Sequence, residues 1–234
     1  MHRSISSILV LGDGLLGSEI VKQTGWNYIS RKKDKFDFND ISTYHNLLEG
    51  YDTIINCIAN TNTYSTDKQS MQSTNYLSVI NLVEYCLEKN AKLVHISTDY
   101  VYANSIPFAS EVDLPLISPN WYTYYKLLAD EYAHSKAANS LICRCSFKPN
   151  PFPYKSAWTD LTGNFDSVDT IASLIIKLIH KDACGIFNIG TETKTMYELA
   201  KRTNSEVQPI LGPKEAPKDL TLNLERMRTV LSGS

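Results

Sequence analysis

The sequence predicts an α/β fold: a doubly wound parallel sheet covered on both faces by helices, followed by a small lobe. Three observations carry this expectation. Short apolar, β-branched runs alternate along the 234 residues with segments of helical spacing, the pattern of strand–helix–strand crossovers. Most of those runs lack polar–apolar alternation, as strands do when helices cover both faces. A glycine-rich turn joins the first run to the first helix.

In chain order, residues 5–11 read as the first strand. Residues 14–23 have helical spacing and end near Gly25. A second strand is expected over 26–30, a short helix over 41–49 and a strand over 53–58. A long helix follows over 69–89, with Leu77, Ile80, Val83 and Leu87 as its apolar positions. Then come a strand at 93–97, a helix at 121–135, a strand at 140–147, a helix at 168–180 and a strand at 185–189. Residues 148–160 hold Pro149, Pro151 and Pro153 among aromatics and read as an ordered loop. Thr195-Met196-Tyr197-Glu198 is a capping-box signature before a further helix at 199–203. Residues 212–218 contain two prolines and read as loop. The expected division is a dinucleotide-binding unit over 1–147. Residues 148–234 then supply the substrate lobe and late sheet elements at 170–190.

Composition narrows the function classes. The formal net charge of −2 offers no basic field for nucleic acid. No apolar stretch approaches the ~20 residues of a membrane span, and residues 1–4 lead directly into the first strand, so no signal peptide is expected. The five cysteines show no metal-ligand spacing, nor do the five histidines; no metal site is expected. Cys143 and Cys145 share a strand face. Reduced, buried thiols of a cytoplasmic protein explain them better than an active-site role.

Gly12-Asp13-Gly14-Leu15-Leu16-Gly17 fits GxGxxG between a strand and a helix. The first glycine makes the turn, the second lets a pyrophosphate approach the backbone, and the third lets helix and strand pack closely. The helix N-terminus favours the anion. The end of the second strand offers Ser30-Arg31-Lys32-Lys33, where Arg31 can take a 2′-phosphate in two-pronged fashion, favouring NADPH. Asp34 lies close enough to act for NADH, which stays open. The sheet is therefore expected to be Rossmann-type.

The third feature is Ser97-Thr98 at a strand end, followed by Tyr122-x-x-x-Lys126 opening a helix. Residues four apart share a helix face. A nearby ammonium lowers a phenol's pKa from its ordinary value of about 10. Tyr122 is then expected to protonate a reduced carbonyl oxygen, Lys126 to bind the nicotinamide ribose, and Thr98 to orient the substrate oxygen.

These residues resemble those of the extended short-chain dehydrogenases/reductases, and among them the dTDP-4-dehydrorhamnose reductase family. Ser97-Thr98-Asp99-Tyr100-Val101-Tyr102 is similar to that family's STDYVF segment. Tyr122 to Leu127 with Asp130-Glu131 is similar to YxxxKLxxE. Asn56-Cys57-Ile58-Ala59-Asn60-Thr61 resembles its NAAAHT-like strand end, and Phe36-Asp37-Phe38 the GDF segment flanking the adenine. Arg144-Cys145-Ser146-Phe147 resembles RTSWV, and Gly185-Ile186-Phe187-Asn188-Ile189-Gly190 the GxYNxG strand. The resemblance implies a catalytic triad of Thr98, Tyr122 and Lys126, with Thr98, Asp99 and Phe147 near a sugar. It implies that Gly14, Leu15, Leu16, Asp37, Phe38, Ala59, Asn60, Thr61, Tyr122 and Lys126 hold the cofactor, beside Gly12, Gly17 and Arg31 read from the glycine turn and the second strand's end.

The activity so implied is reduction of a 4-keto sugar nucleotide by NADPH or NADH in deoxysugar biosynthesis, by a cytoplasmic protein and possible homodimer. Related 4,6-dehydratases carry Asp-Glu after the threonine; here Asp99 is followed by Tyr100, which favours simple reduction. The GxGxxG spacing is one residue tighter than the family's GxxGxxG, and the part after Phe147 is shortened. A non-catalytic NADP-binding regulatory subunit and a sugar-nucleotide 4-epimerase remain alternatives, because a fold does not fix a reaction.

Overall fold

The computed structural model describes residues 7–103, 105–113 and 120–233. The first two residues of the strand expected at 5–11, and residues 1–4, lie outside them. The chain runs through β1 (Ile8–Leu11), α1 (Leu15–Thr24), β2 (Asn27–Ile29), the single-turn α2 (Arg31–Asp34) and β3 (Thr53–Asn56). It continues with α3 (Lys68–Gln72), α4 (Ser78–Lys89), β4 (Lys92–Ile96), α5 (Trp121–Lys136) and β5 (Leu141–Arg144). Next are β6 (Phe147–Lys148), β7 (Ser156–Trp158), β8 (Thr162–Gly163), β9 (Asp166–Ser167), α6 (Val168–His180) and β10 (Gly185–Asn188). The chain closes with β11 (Lys194–Thr195), α7 (Met196–Lys201), β12 (Gln208–Ile210), β13 (Asp219–Leu220) and α8 (Glu225–Ser232).

Six strands form one sheet in the order β10-β5-β4-β3-β1-β2, every neighbouring pair parallel. This is the Rossmann-type doubly wound sheet. The chain turns one way from β1 to β2 and the other way from β3 onward, so the crevice beyond β1 and β3 is the topological switch point. Successive strand residues serve opposite faces. Val10, Ile55, Val94, Leu141 and Phe187 pack with Leu16 and Ile20 of α1 and Ile171, Ile175 and Leu178 of α6. Their neighbours Leu9, Leu11, Ile54, Leu93, Ile142 and Ile186 pack with Val79, Leu82 and Val83 of α4 and Ala129 and Ala133 of α5.

Three expectations shift. The helix expected over 41–49 is two 3-10 turns, Ile41–Thr43 and His45–Leu48, the first started by Asp40, whose carboxylate accepts the N–H of Ser42. The long helix carries a π turn at Ser73–Leu77. One extra residue per turn rotates the face that follows. Leu77 and Leu87 are exposed and Ile80 is half-buried; Val83 is buried as expected, and Val79, Leu82 and Cys86 are buried with it. The strand expected over 140–147 breaks after Arg144: Phe147 and Lys148 leave the main sheet and pair with β9.

The smaller C-terminal lobe is built from short pairings, β11-β8-β13 and β12-β7. Its core gathers Phe152, Leu161, Phe165, Met196, Leu199 and Leu220. Thr195 and Glu198 form the expected capping box, and the helix starts at once at Met196. Helix α8, which sequence spacing did not reveal, packs Met227 into the main core. Among the described residues no helix is long and apolar enough to cross a membrane.

Candidate active site

Gly12 sits at φ 99°, a conformation that favours glycine, and donates its N–H to the carbonyl of Ile29 (2.9 Å). A Cβ on Gly17 would lie 2.1 Å from the carbonyl oxygen of Gly12, so only glycine lets α1 start this close to β1. A Cβ on Gly14 would meet nothing within 4 Å. Gly14 is the N-cap of α1 and has no side chain to cap it, so the first N–H groups of the helix face open space.

That space is a cavity of about 470 Å3 beyond the switch point. It is lined by Gly14, Leu15 and Leu16 from the glycine turn, Ala59 and Thr61 from the segment after β3, and Thr98 after β4. Tyr122 and Lys126 of α5 and Phe147 complete the expected set. Gly12 and Gly17 line a separate groove of about 360 Å3 with Lys22 and Tyr28. Arg31, Asp37, Phe38, Asn60 and Asp99 line neither.

Each of those five has a definite place. Arg31 opens α2, exposed; its carbonyl accepts the N–H of Lys35, and its guanidinium makes no hydrogen bond or ion pair with the described residues. Asp34 is occupied: its carboxylate accepts the N–H of Ser30 (2.9 Å). Asp37 holds the turn to Asn39 (2.9 Å), and Phe38 is core, stacked obliquely on Tyr44. Asn60 is clamped by Asn75, which accepts its N–H (2.8 Å) and donates to its carbonyl (2.9 Å). Asn75 lies in the π turn, so that irregularity fixes the segment that lines the cavity. A buried asparagine inside a helix was the signal for it. Asp99 is buried beside Thr98, with Oδ2 lacking a partner among the described residues. Burial pushes its carboxyl up to about 7, against the pull of Lys148.

The hydroxyl of Tyr122 is hydrogen-bonded to Thr98, which favours the phenolate, but burial dominates and raises its pKa. The carboxylates of Asp99 and Asp130 act in the same direction. The expected lowering by Lys126 is not found here, because Nζ of Lys126 is turned to the carbonyl of Ile96 (2.6 Å) and to Nε2 of His95 (3.1 Å). Tyr122 is thus a neutral phenol, the form that can give a proton.

Behind Lys126 lies a buried polar chain that sequence reading missed. Asn56 Oδ1 accepts the N–H of Ile58 (3.0 Å), so its amide nitrogen faces Nδ1 of His95 (3.3 Å). Nδ1 must accept, and burial keeps the ring neutral, so its proton is on Nε2. Nε2 faces Lys126 and, at 3.8 Å, Oδ1 of Asp130. Oδ2 of Asp130 accepts from Ser97 (2.7 Å) and Arg144 (3.0 Å). Burial disfavours the Lys126 ammonium against the pull of Asp130, and its pKa falls to about 8.

Cys57, Thr63, Tyr100, Cys145, Ser146 and Lys148 also line the cavity and were not anticipated. All five cysteines are free; burial pushes the Cys57 thiol up to about 12 and raises that of Cys145 as well. Next to this cavity, a second of about 410 Å3 is lined by Tyr64, Phe152, Tyr154, Trp158 and Phe165 of the lobe.

The sheet order, the glycine turn and the cavity beyond it define a dinucleotide-binding α/β protein. The chain belongs to the family described as "RmlD substrate binding domain", whose model matches residues 6–147. No curated protein sequence matches it. Among solved structures it is similar to a hypothetical dTDP-4-dehydrorhamnose reductase from Sulfolobus tokodaii, with TM-score 0.82 and 23% identity over 97% of this chain and 95% of that one. A dTDP-4-dehydrorhamnose reductase from Bacillus anthracis in complex with NADP gives TM-score 0.81 and 20% identity over 99% and 93%. MoeE5 in complex with UDP-glucuronic acid and NAD gives TM-score 0.79 and 18% identity over 97% and 92%. At these identities the likeness is one of fold.

Proposed function

We propose that the protein catalyses NAD(P)H-dependent reduction of a 4-keto sugar nucleotide. One observation carries this: a single cavity joins the glycine turn to Thr98, Tyr122 and Lys126. The residues fit a dinucleotide, with free N–H groups at α1, a Gly14 whose missing side chain leaves room for phosphate, and an unpaired Arg31. Family membership, and relatives crystallised with NADP or with a sugar nucleotide and NAD, support the same reading.

In this reading Gly14, Leu15 and Leu16 hold the pyrophosphate, and Ala59 and Thr61 border the chain beyond it, held in place by Asn60. Arg31 takes a 2′-phosphate, and Asp37 and Phe38 shape the adenine end. The bound cofactor supplies a hydride. Thr98 donates a hydrogen bond to the ketone oxygen, and Tyr122 gives that oxygen its proton as negative charge develops there. Lys126 holds the ribose hydroxyls. Asp99 and Phe147 border the sugar. Residues 1–147 bind the dinucleotide, and 148–234 contribute the lobe that covers the substrate. The family likeness further suggests a homodimer in the cytoplasm, which light scattering and cell fractionation test.

The direct test is NADPH oxidation with dTDP-4-keto-6-deoxy sugars. Wild type is expected to turn over, and Tyr122→Phe to lose about 10²- to 10⁴-fold. NADPH binding without turnover of any keto-sugar nucleotide would overturn the reading in favour of a regulatory subunit.

A further inference from the structure

The two cavities, about 470 and 410 Å3, share four residues: Thr63, Tyr100, Ser146 and Lys148. Three carry hydroxyls and the fourth an ammonium. Lys148 follows Phe147 on β6, half-buried, and its ammonium makes no hydrogen bond or ion pair with the described residues. The other cations held in the interior are paired: Arg144 with Asp130, and Lys194 with Asp166. Lys126 donates to the carbonyl of Ile96. Asp99 attracts this ammonium without forming an ion pair with it, and burial itself disfavours the charge on that carboxyl; a ligand's negative charge would complete the pairing of a partly desolvated cation.

From this junction we infer that Lys148, with Ser146, Thr63 and Tyr100, is the binding site for the diphosphate of a nucleoside diphosphate sugar. The inference rests on the reductase reading and adds the position of the substrate. The two cavities differ in chemistry. The first holds the proton-donating groups Thr98 and Tyr122, suited to a sugar ketone. The second is walled by Tyr64, Phe152, Tyr154, Trp158 and Phe165, aromatic faces on which a nucleobase stacks. A molecule with its sugar in one and its base in the other carries its diphosphate through the shared wall. There an ammonium and hydroxyl donors can meet phosphate oxygens. No other cation among the described residues lines both cavities.

The test is isothermal titration of the NADPH-saturated protein, so that the dinucleotide site is already filled. The probes are dTDP and UDP, each set against its monophosphate and its nucleoside. Wild type is expected to bind at least one diphosphate about tenfold or more tighter than the matching monophosphate. Lys148→Met is expected to lose that preference and Lys148→Arg to keep it, with thermal melts showing that both variants are folded. If Lys148→Met does not fold, Lys148→Gln takes its place. Unchanged diphosphate affinity in the neutral variant, or no diphosphate binding by wild type, would overturn the inference. Binding is read without turnover, so the two readings fail separately. A protein that binds dTDP through Lys148 but reduces no keto sugar refutes only the reductase. Turnover with an indifferent Lys148 refutes only the junction.

Discussion

Asp99 and Lys126 are both buried ionisable groups whose environments disfavour charge, and each gives a pH dependence of its own sign. The carboxyl of Asp99 ionises near 3.8 in the unfolded chain and at about 7 when folded. Between those values the unfolded chain binds fewer protons, so stability falls as pH rises from about 4 to about 7 and stays lower above. Asp99→Asn is expected to raise stability at about pH 8 by at most about 4 kcal/mol, three units at 1.36 each, and to change little at about pH 4. Thermal melts across that range check it; an equal difference at both ends would refute it. Lys126 is charged below about pH 8 and neutral above. If its ammonium holds the ribose, NADPH affinity declines as pH rises through that value. In His95→Gln an amide oxygen can face the ammonium, and the decline is expected at higher pH. Titrating NADPH affinity against pH in both proteins decides it, and an unmoved limb would remove His95 from the account.

At the scale of elements, the glycine turn separates packing from binding. Gly17→Ala forces a methyl against the Gly12 carbonyl and is expected to cost about 1–3 kcal/mol or more, with loss of NADPH binding. Gly14→Ala points its methyl into open space, so the melting temperature is expected to hold while NADPH affinity drops. Melting curves and titrations on the two variants check the contrast. The same turn shows why much was legible in the sequence. GxGxxG, the strand-ending Ser97-Thr98 and the i, i+4 pair Tyr122 and Lys126 are local patterns, and the sheet brings their ends to one edge. Three things were not local. The π turn shifted the buried face of α4 by a residue, which no heptad count reveals. The Asn56–His95–Lys126 chain depends on side chains meeting across β3, β4 and α5. The junction at Lys148 exists only because the chain leaves the main sheet after Arg144 and places β6 beside the lobe.

For the whole molecule, the proposed cofactor site draws on segments following β1, β2, β3 and β4, so a bound cofactor would tie together parts distant in sequence. NADPH at about a hundred times its dissociation constant is expected to stabilise the fold by about 2.7 kcal/mol. Arg31→Ala is expected to diminish that effect for NADPH and leave it intact for NADH; equal shifts with both cofactors would remove Arg31 from the 2′-phosphate. The order of the sheet has a different consequence, for the chain as it is being made. Strand β10 covers the free edge of β5, yet residues 145–184 separate them in sequence. While that interval emerges from the ribosome, the sheet ends in Leu141–Arg144, a buried strand with its outer N–H and C=O groups unpaired. The nascent protein is at its stickiest there, and a pause in translation across the interval holds it in the form most in need of a chaperone.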